Sequence, residues 1–267
     1  MMDLKLAGKR ALVTGASSGL GEATARFLAA EGATVVVHGR DPERTKEVAE
    51  AIRSAGGAAE TAIADLKDDA GADATAAAAT ANGHIDILVN NAGTYDQLTW
   101  DQATPELWAD FYNLNVISGV RLINRLVPAM RERGWGRVIQ IGGGLAIQPM
   151  PVQPHYNATL AARHNLAVTL ARSLAGTGVT SNVVSPGAIL VGSVRQLLSD
   201  LAPSHGWGQT WEEIEPNAAA DYIPNDVGRF GRPEEIAAAV AYLASPLADY
   251  VSGATIRVDG GLIRSVH

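Results

Sequence analysis

Ala11-Leu12-Val13-Thr14-Gly15-Ala16-Ser17-Ser18-Gly19-Leu20-Gly21, running on into Glu22-Ala23-Thr24-Ala25-Arg26-Phe27-Leu28, decides how the rest of the chain is read. A short apolar run stops at a turn holding Gly15, Gly19 and Gly21, and beyond it Leu20, Ala23, Phe27 and Leu28 recur at helical spacing. Strand, glycine turn and helix in that order bring the free N–H groups of a helix N-terminus, with their partial positive charge, to the tip of a strand. Glycine permits positive φ and close backbone approach at such a turn. The stretch therefore predicts a pyrophosphate cradle for a dinucleotide, with Gly15, Ser17, Ser18, Gly19, Leu20 and Gly21 around the phosphates.

Outward from this unit the same rhythm continues. Apolar, largely β-branched runs stand at Thr34-Val35-Val36-Val37, Ile85-Asp86-Ile87-Leu88-Val89, Val138-Ile139-Gln140-Ile141, Val179-Thr180-Ser181-Asn182-Val183-Val184 and Ala254-Thr255-Ile256-Arg257-Val258, with amphipathic segments between them. Strands of this kind belong to a parallel sheet buried between helices. Helix starts are marked by Asp41 before Pro42 and by Thr104 before Pro105-Glu106, and the alanine-rich stretch from Asp68 to Asn82 reads as a surface helix. No internal repeat or linker interrupts the alternation, so residues 1–267 are expected to form one domain. The one departure is residues 194–227, which precede a helix start at Arg229-Phe230-Gly231-Arg232-Pro233-Glu234.

Composition narrows the function classes. A 267-residue chain with 47% hydrophobic residues can bury a sizeable core, and its net charge of −7, with no basic stripe, offers nothing to a nucleic acid. The absence of cysteine excludes disulfides, thiolate nucleophiles and cysteine metal sites, and no metal centre is expected. No apolar run reaches membrane-spanning length, and Met1–Arg10 lacks the apolar stretch of a signal peptide, so a soluble cytoplasmic protein is expected.

Thr14–Gly21 resembles the TGxxxGxG loop of the short-chain dehydrogenase/reductase family. Asp65-Leu66, Asn90-Asn91-Ala92-Gly93, Pro186-Gly187 and Val258-Asp259-Gly260-Gly261 follow in the family's order, so the likeness spans about residues 8 to 262. It implies a single-domain Rossmann fold, a doubly wound parallel sheet of about seven strands flanked by helices. It also implies that Asp65 and Leu66 border the adenine, that Asn91, Ala92 and Gly93 line the adenosine side, and that Pro186, Gly187 and Ile189 serve the nicotinamide side. Relatives usually assemble through the helices that here bear Asn115 and Tyr156, so a homotetramer or dimer is expected.

Cofactor preference turns on the end of the second strand, Val37-His38-Gly39-Arg40. Gly39 stands where NAD-dependent relatives carry an aspartate to accept the ribose hydroxyls. Arg40 follows, with a planar donor fork suited to a 2′-phosphate. NADP(H) is accordingly expected over NAD(H).

The family's chemistry uses Asn, Ser, Tyr and Lys. Asn115 matches the asparagine that organises a relay water, and Tyr156 matches the general acid/base. The serine position is Gly143, and loss of one preorganised donor of that kind typically costs about 10²- to 10³-fold in rate. The lysine position, one helical turn after Tyr156, is Leu160. An apolar neighbour in place of an ammonium should push the Tyr156 phenol above its ordinary value, handicapping alcohol oxidation more than ketone reduction. Val191 stands where a threonine often binds the carboxamide. Three polar contacts are thus missing, all at the nicotinamide end.

Nothing nearby replaces them directly. His164 shares the helical face of Tyr156 but two turns away, about 12 Å, and reads as a surface or interface histidine. His155 points elsewhere, while Gln148 and Gln153 could reach a substrate. Residues 194–227 occupy the place of the family's substrate-covering loop, and their Trp207, Trp211 and Tyr222 either close over an apolar or aromatic ligand or pack onto the protein's own helices. Tyr95, Asp96 and Trp100 should face the same pocket. The expected activity is an NADP(H)-dependent carbonyl reductase with an impaired quartet. Beside it stands a non-redox homologue, either a cofactor sensor or non-catalytic subunit, or an isomerase or lyase using the same pocket.

Overall fold

The computed structural model describes residues 3–265. Seven parallel strands form one sheet in the order β3-β2-β1-β4-β5-β6-β7. They are β1 (Arg10–Val13), β2 (Thr34–Gly39), β3 (Ala58–Ile63), β4 (Ile87–Asn90), β5 (Gly136–Ile141), β6 (Val179–Pro186) and β7 (Thr255–Val258). Helices α1 (Gly19–Ala30), α2 (Pro42–Ser54), α3 (Asp69–Thr80), α4 (Pro105–Tyr112), α5 (Ser118–Glu132), α6 (Pro154–Ser173), α7 (Gly192–His205), α8 (Trp211–Asp221) and α9 (Pro233–Ala244) connect them.

The sheet divides two apolar cores. On one face Val13, Val37, Val89, Ile139 and Val184 pack against Leu28 of α1 and Val240 of α9; on the other Leu12, Val36, Leu88 and Val138 meet Leu122 and Leu126 of α5. Successive strand residues alternate between these cores, which is why the strands read as unbroken apolar runs. β3 carries no such run. It is an edge strand, Ala-Ala-Glu-Thr-Ala-Ile, whose Glu60 receives two hydrogen bonds from Arg10 of β1.

The expected helix starts are in place. Asp41 accepts from the N–H groups of Glu43 and Arg44, and the Thr104 hydroxyl accepts from Leu107 N–H. The alanine-rich segment forms α3, capped by Asp68, with only Ala72, Thr75 and Ala79 buried. Residues 194–227, anticipated as a loop, instead hold most of α7 and all of α8. These helices gather Leu198, Trp207, Ile214, Ala218 and Phe230 into a third, separate core.

Strand order reverses between β1 and β4, both of which are central. A crevice opens past the carboxyl ends of strands at such a switch point, and the glycine turn after β1 stands at its rim.

Candidate active site

At the β1 end of the crevice the site is made of main chain. Gly15 and Gly19 have φ of 62° and 57°. A β-carbon on Gly21 would lie 2.3 Å from the Gly15 carbonyl oxygen, and one on Gly15 would lie 2.9 Å from Ala92 Cα. No side chain fits at either position. Thr14 ties the two loops together, its hydroxyl accepting from Asn91 N–H at 3.0 Å and Ala92 N–H at 2.9 Å, while Asn91 Nδ2 donates to the carbonyls of Thr14 and Gly15. Ser18 begins α1 without a side-chain cap, so the first N–H groups of the helix are left to an outside acceptor. The glycine cradle and these open donors fit a dinucleotide pyrophosphate.

His38 is a part of this end that sequence reading passed over. Its ring is buried at the end of β2, Nδ1 accepts from Gly15 N–H at 3.2 Å and Nε2 lies 3.2 Å from the Ala64 carbonyl oxygen. That pairing requires the tautomer protonated at Nε2. Burial, with a smaller contribution from Arg40, lowers its pKa to about 4 against the Ala64 hydrogen bond and Asp65, so the ring is neutral near pH 7. Its location within an apolar run hid the role.

Gly39 has no room for a side chain: a β-carbon would stand 2.3 Å from Thr45 Oγ1 and 2.9 Å from Ser17 Cβ. Arg40 is exposed beside it. Asp65 is half-buried and accepts from Lys67 N–H, and Leu66 is buried next to it. Across the crevice Pro186 ends β6, Gly187 lies against Asp259, Ile189 bridges to Gly231, and Val191 stands opposite Gly19.

The other end is built from side chains on α6 and the turns facing it. Before α5 the helix widens into a π-helical turn, Asn113–Ile117, a distortion common at functional sites. Asn115 within it is buried; its Nδ2 donates to the Thr94 carbonyl and the Thr159 hydroxyl, and its Oδ1 accepts from Thr94 N–H. Tyr156, half-buried near the start of α6, has its ring centroid 6.0 Å from that of Tyr95. Burial raises the Tyr156 pKa, with Arg163 opposing and Tyr95 adding to the shift.

Gly143 and Leu160 lie against each other, a β-carbon on Gly143 falling 2.9 Å from Leu160 Cδ1. Arg163, unnoticed in the sequence, is buried one turn beyond Leu160. Its Nε donates to the Asn115 carbonyl, Nη1 to Ile141 O at 2.7 Å and Nη2 to the Ala92 carbonyl. The signal available was its spacing of two turns from Tyr156, on the same helical face.

Several expectations change here. His164 is no surface histidine: it is half-buried, with Nε2 accepting at 3.5 Å from Gly143 N–H, because the Gly142-Gly143 backbone leaves room for its ring. Gln153 is buried at φ 60° with its N–H on the Leu98 carbonyl, and Gln148 Oε1 accepts from Arg264 N–H, so both have roles within the chain. His155 is fully buried, edge-on to Phe111 at 4.2 Å. Trp207 is only 2% exposed, packed beside His205 and donating to Asp221; Trp211 stacks under Arg195 and donates to Glu215. Trp207 and Trp211 thus pack into the third core, whereas Tyr222 is exposed. Tyr95 and Trp100 are exposed, and the Tyr95 hydroxyl reaches Ser193 at 3.2 Å, linking the β4 loop to the start of α7.

The short chain dehydrogenase family model matches residues 9–202. This chain belongs to the short-chain dehydrogenase family. An uncharacterized oxidoreductase, YvaG of Bacillus subtilis, is 38% identical over 99% of this chain and 100% of its own length. L-sorbose reductase from Gluconobacter frateurii, solved with NADPH and L-sorbose, superposes with a TM-score of 0.92 at 34% identity, covering 99% of this chain and 100% of that one. A gluconate 5-dehydrogenase from Burkholderia cenocepacia, solved with NADP and tartrate, gives 0.87 at 30% identity, covering 99% and 98%. Among the described residues no helix is long and apolar enough to cross a membrane, and no group of three potential ligand side chains could hold a metal ion.

Proposed function

We propose that this chain is an NADP(H)-dependent carbonyl reductase in which Tyr156 is the proton donor and Asn115 holds the surrounding backbone. Two features support the reading: the side-chain-free cradle of Gly15, Gly19 and Gly21, and Tyr156, whose phenol burial keeps protonated. Two structural relatives hold NADPH or NADP, in agreement with Arg40 as a 2′-phosphate ligand and with Gly39 as a place where no aspartate fits. The bound cofactor supplies hydride. Tyr156 gives its proton to the substrate oxygen, a direction that a raised phenol pKa favours over its reverse. α7 and α8 cover the substrate, with the Tyr95–Ser193 contact closing the side nearest Tyr156.

On this reading Gly143 and Leu160 replace the family's serine and lysine, so proton transfer proceeds without a hydroxyl on the carbonyl oxygen or an ammonium on the ribose. The same two residues favour a second reading, a protein that binds NADP(H) as a sensor, non-catalytic subunit or non-redox enzyme. The two separate by measuring NADPH binding by fluorescence, then NADPH consumption over a panel of keto sugars, keto acids and acyl ketones. The reductase turns over at least one class, and Tyr156→Phe lowers that rate by about 10²- to 10⁴-fold without weakening binding. Tight binding with no turnover across the panel would overturn the reductase.

A further inference from the structure

Arg163 presents an unusual charge balance. The other deeply buried guanidinium, Arg137, has the carboxylate of Asp249 as its partner. Arg163 has only carbonyl oxygens: Asn115 on the π-helical turn, Ile141 at the end of β5 and Ala92 in the β4 loop. Removing a cation from water without an anion is costly even when its donors are satisfied. The three carbonyls converge on the Arg163 guanidinium, and the long side chain of Arg163 leans toward the N-terminus of α6, the direction in which Tyr156 lies. Among the described residues, Tyr156 is the titratable group whose charge raises the pKa of Arg163, against the burial that lowers it to about 10.

We propose that Arg163 is the positioning residue of this site, its fixed cation acting through Tyr156 to hold the phenol's ionisation within reach of proton transfer. The proposal rests on the reading of Tyr156 as the proton donor. Two titratable groups act on that phenol, Arg163 from its own helix and Tyr95 from the β4 loop, and they act in opposite senses. Tyr95 is exposed, whereas Arg163 is buried, so the favourable charge arrives from the protein side. A guanidinium does not give up its proton near neutral pH. Arg163 therefore sets the phenol's charge without relaying protons, and Tyr156 recovers its proton from the substrate side of the crevice. The carbonyls of Asn115 and Ala92 are each occupied by one of its N–H groups, which fixes the charge in place.

The test reads Tyr156 directly and needs no turnover. Phenolate absorption is followed after a rapid jump to alkaline pH, before the chain unfolds, and the Tyr156 signal is isolated by subtracting the same record for Tyr156→Phe. Arg163→Gln keeps donors for the carbonyls but removes the charge, and it should raise the Tyr156 midpoint by about 1 unit or more. Arg163→Lys keeps the charge and should leave the midpoint near that of the wild type. An unmoved midpoint in folded Arg163→Gln overturns the proposal. So does a rise in Arg163→Lys as large as charge removal predicts, and this variant carries the test if the glutamine variant does not fold. A shifted midpoint in a protein that reduces nothing on the ketone panel keeps this assignment and sinks the reductase; turnover with no shift does the reverse.

Discussion

The two ends of the crevice are built from different materials. Around the glycine turn the contacts run through main chain: Thr14 and Asn91 bind backbone groups of each other's loops, and His38 holds the Gly15 N–H. Around Tyr156 they run through side chains of one helix, with Leu160 meeting Gly143 and, one turn on, Arg163 meeting three carbonyls and His164 the Gly143 N–H. A cradle of main chain constrains sequence by forbidding side chains, so its glycines can be recognised anywhere. A cluster of side chains constrains only what occupies a volume, and a buried cation can enter that volume from more than one turn of the helix.

The sharpest way to break this contrast is to return the cation to position 160. Leu160 is 3% exposed, and Leu160→Lys would bury a second positive charge one turn from Arg163. Destabilisation of roughly 3–5 kcal/mol is expected, the cost of an uncompensated buried charge. Adding Arg163→Leu removes the repulsion and frees carbonyls for the new ammonium, so the double variant should be more stable than the sum of the two single changes. Urea unfolding of the three variants measures this coupling. Strict additivity would mean that the two positions do not share a site.

The main-chain end makes a complementary prediction through His38. Its folded pKa of about 4 lies below the ordinary value of 6.5, so the fold requires the neutral ring. Below pH 6.5 the unfolded chain takes up a proton that the folded one refuses; this stabilisation is fully present above pH 6.5 and is lost as pH falls toward 4. The loss totals about 3 kcal/mol at 1.36 kcal/mol per unit. His38→Asn keeps an acceptor for Gly15 N–H and should flatten that part of the stability profile. An acid limb unchanged in the variant would assign the loss to other groups.

These two positions also mark the limits of reading the chain unaided. The strand–helix alternation, the cradle and the Asp41 and Thr104 caps were legible because each rests on local sequence pattern and stereochemistry. β3 was not, since an edge strand needs no apolar run and Glu60 is paired across to Arg10. Trp207 was legible as an aromatic, but the choice between covering a ligand and packing within the chain was not, because its burial depends on α7 and α8 folding onto each other. Arg163 and His38 escaped for a shared reason. The role of each is defined by backbone groups of distant segments, and a carbonyl or N–H has no letter in the sequence.

The smallest expected effect falls on Arg40. If the main-chain cradle carries most of the cofactor's grip, an exposed side chain at the rim adds only an increment on top of it. Arg40→Ala should weaken NADP(H) binding by about tenfold, the loss of one charge-assisted contact. NAD(H), lacking the 2′-phosphate, should bind the variant as it binds the wild type. Titrating both cofactors into both proteins decides the matter, and the comparison between cofactors cancels any general damage to the cradle. An unchanged NADP(H) preference would place its origin elsewhere along the β2 end. A collapse of binding for both cofactors would show that this rim supports the glycine turn itself, through the Gly39–Ser17 contact, and that the main-chain end is less self-sufficient than its hydrogen bonds imply.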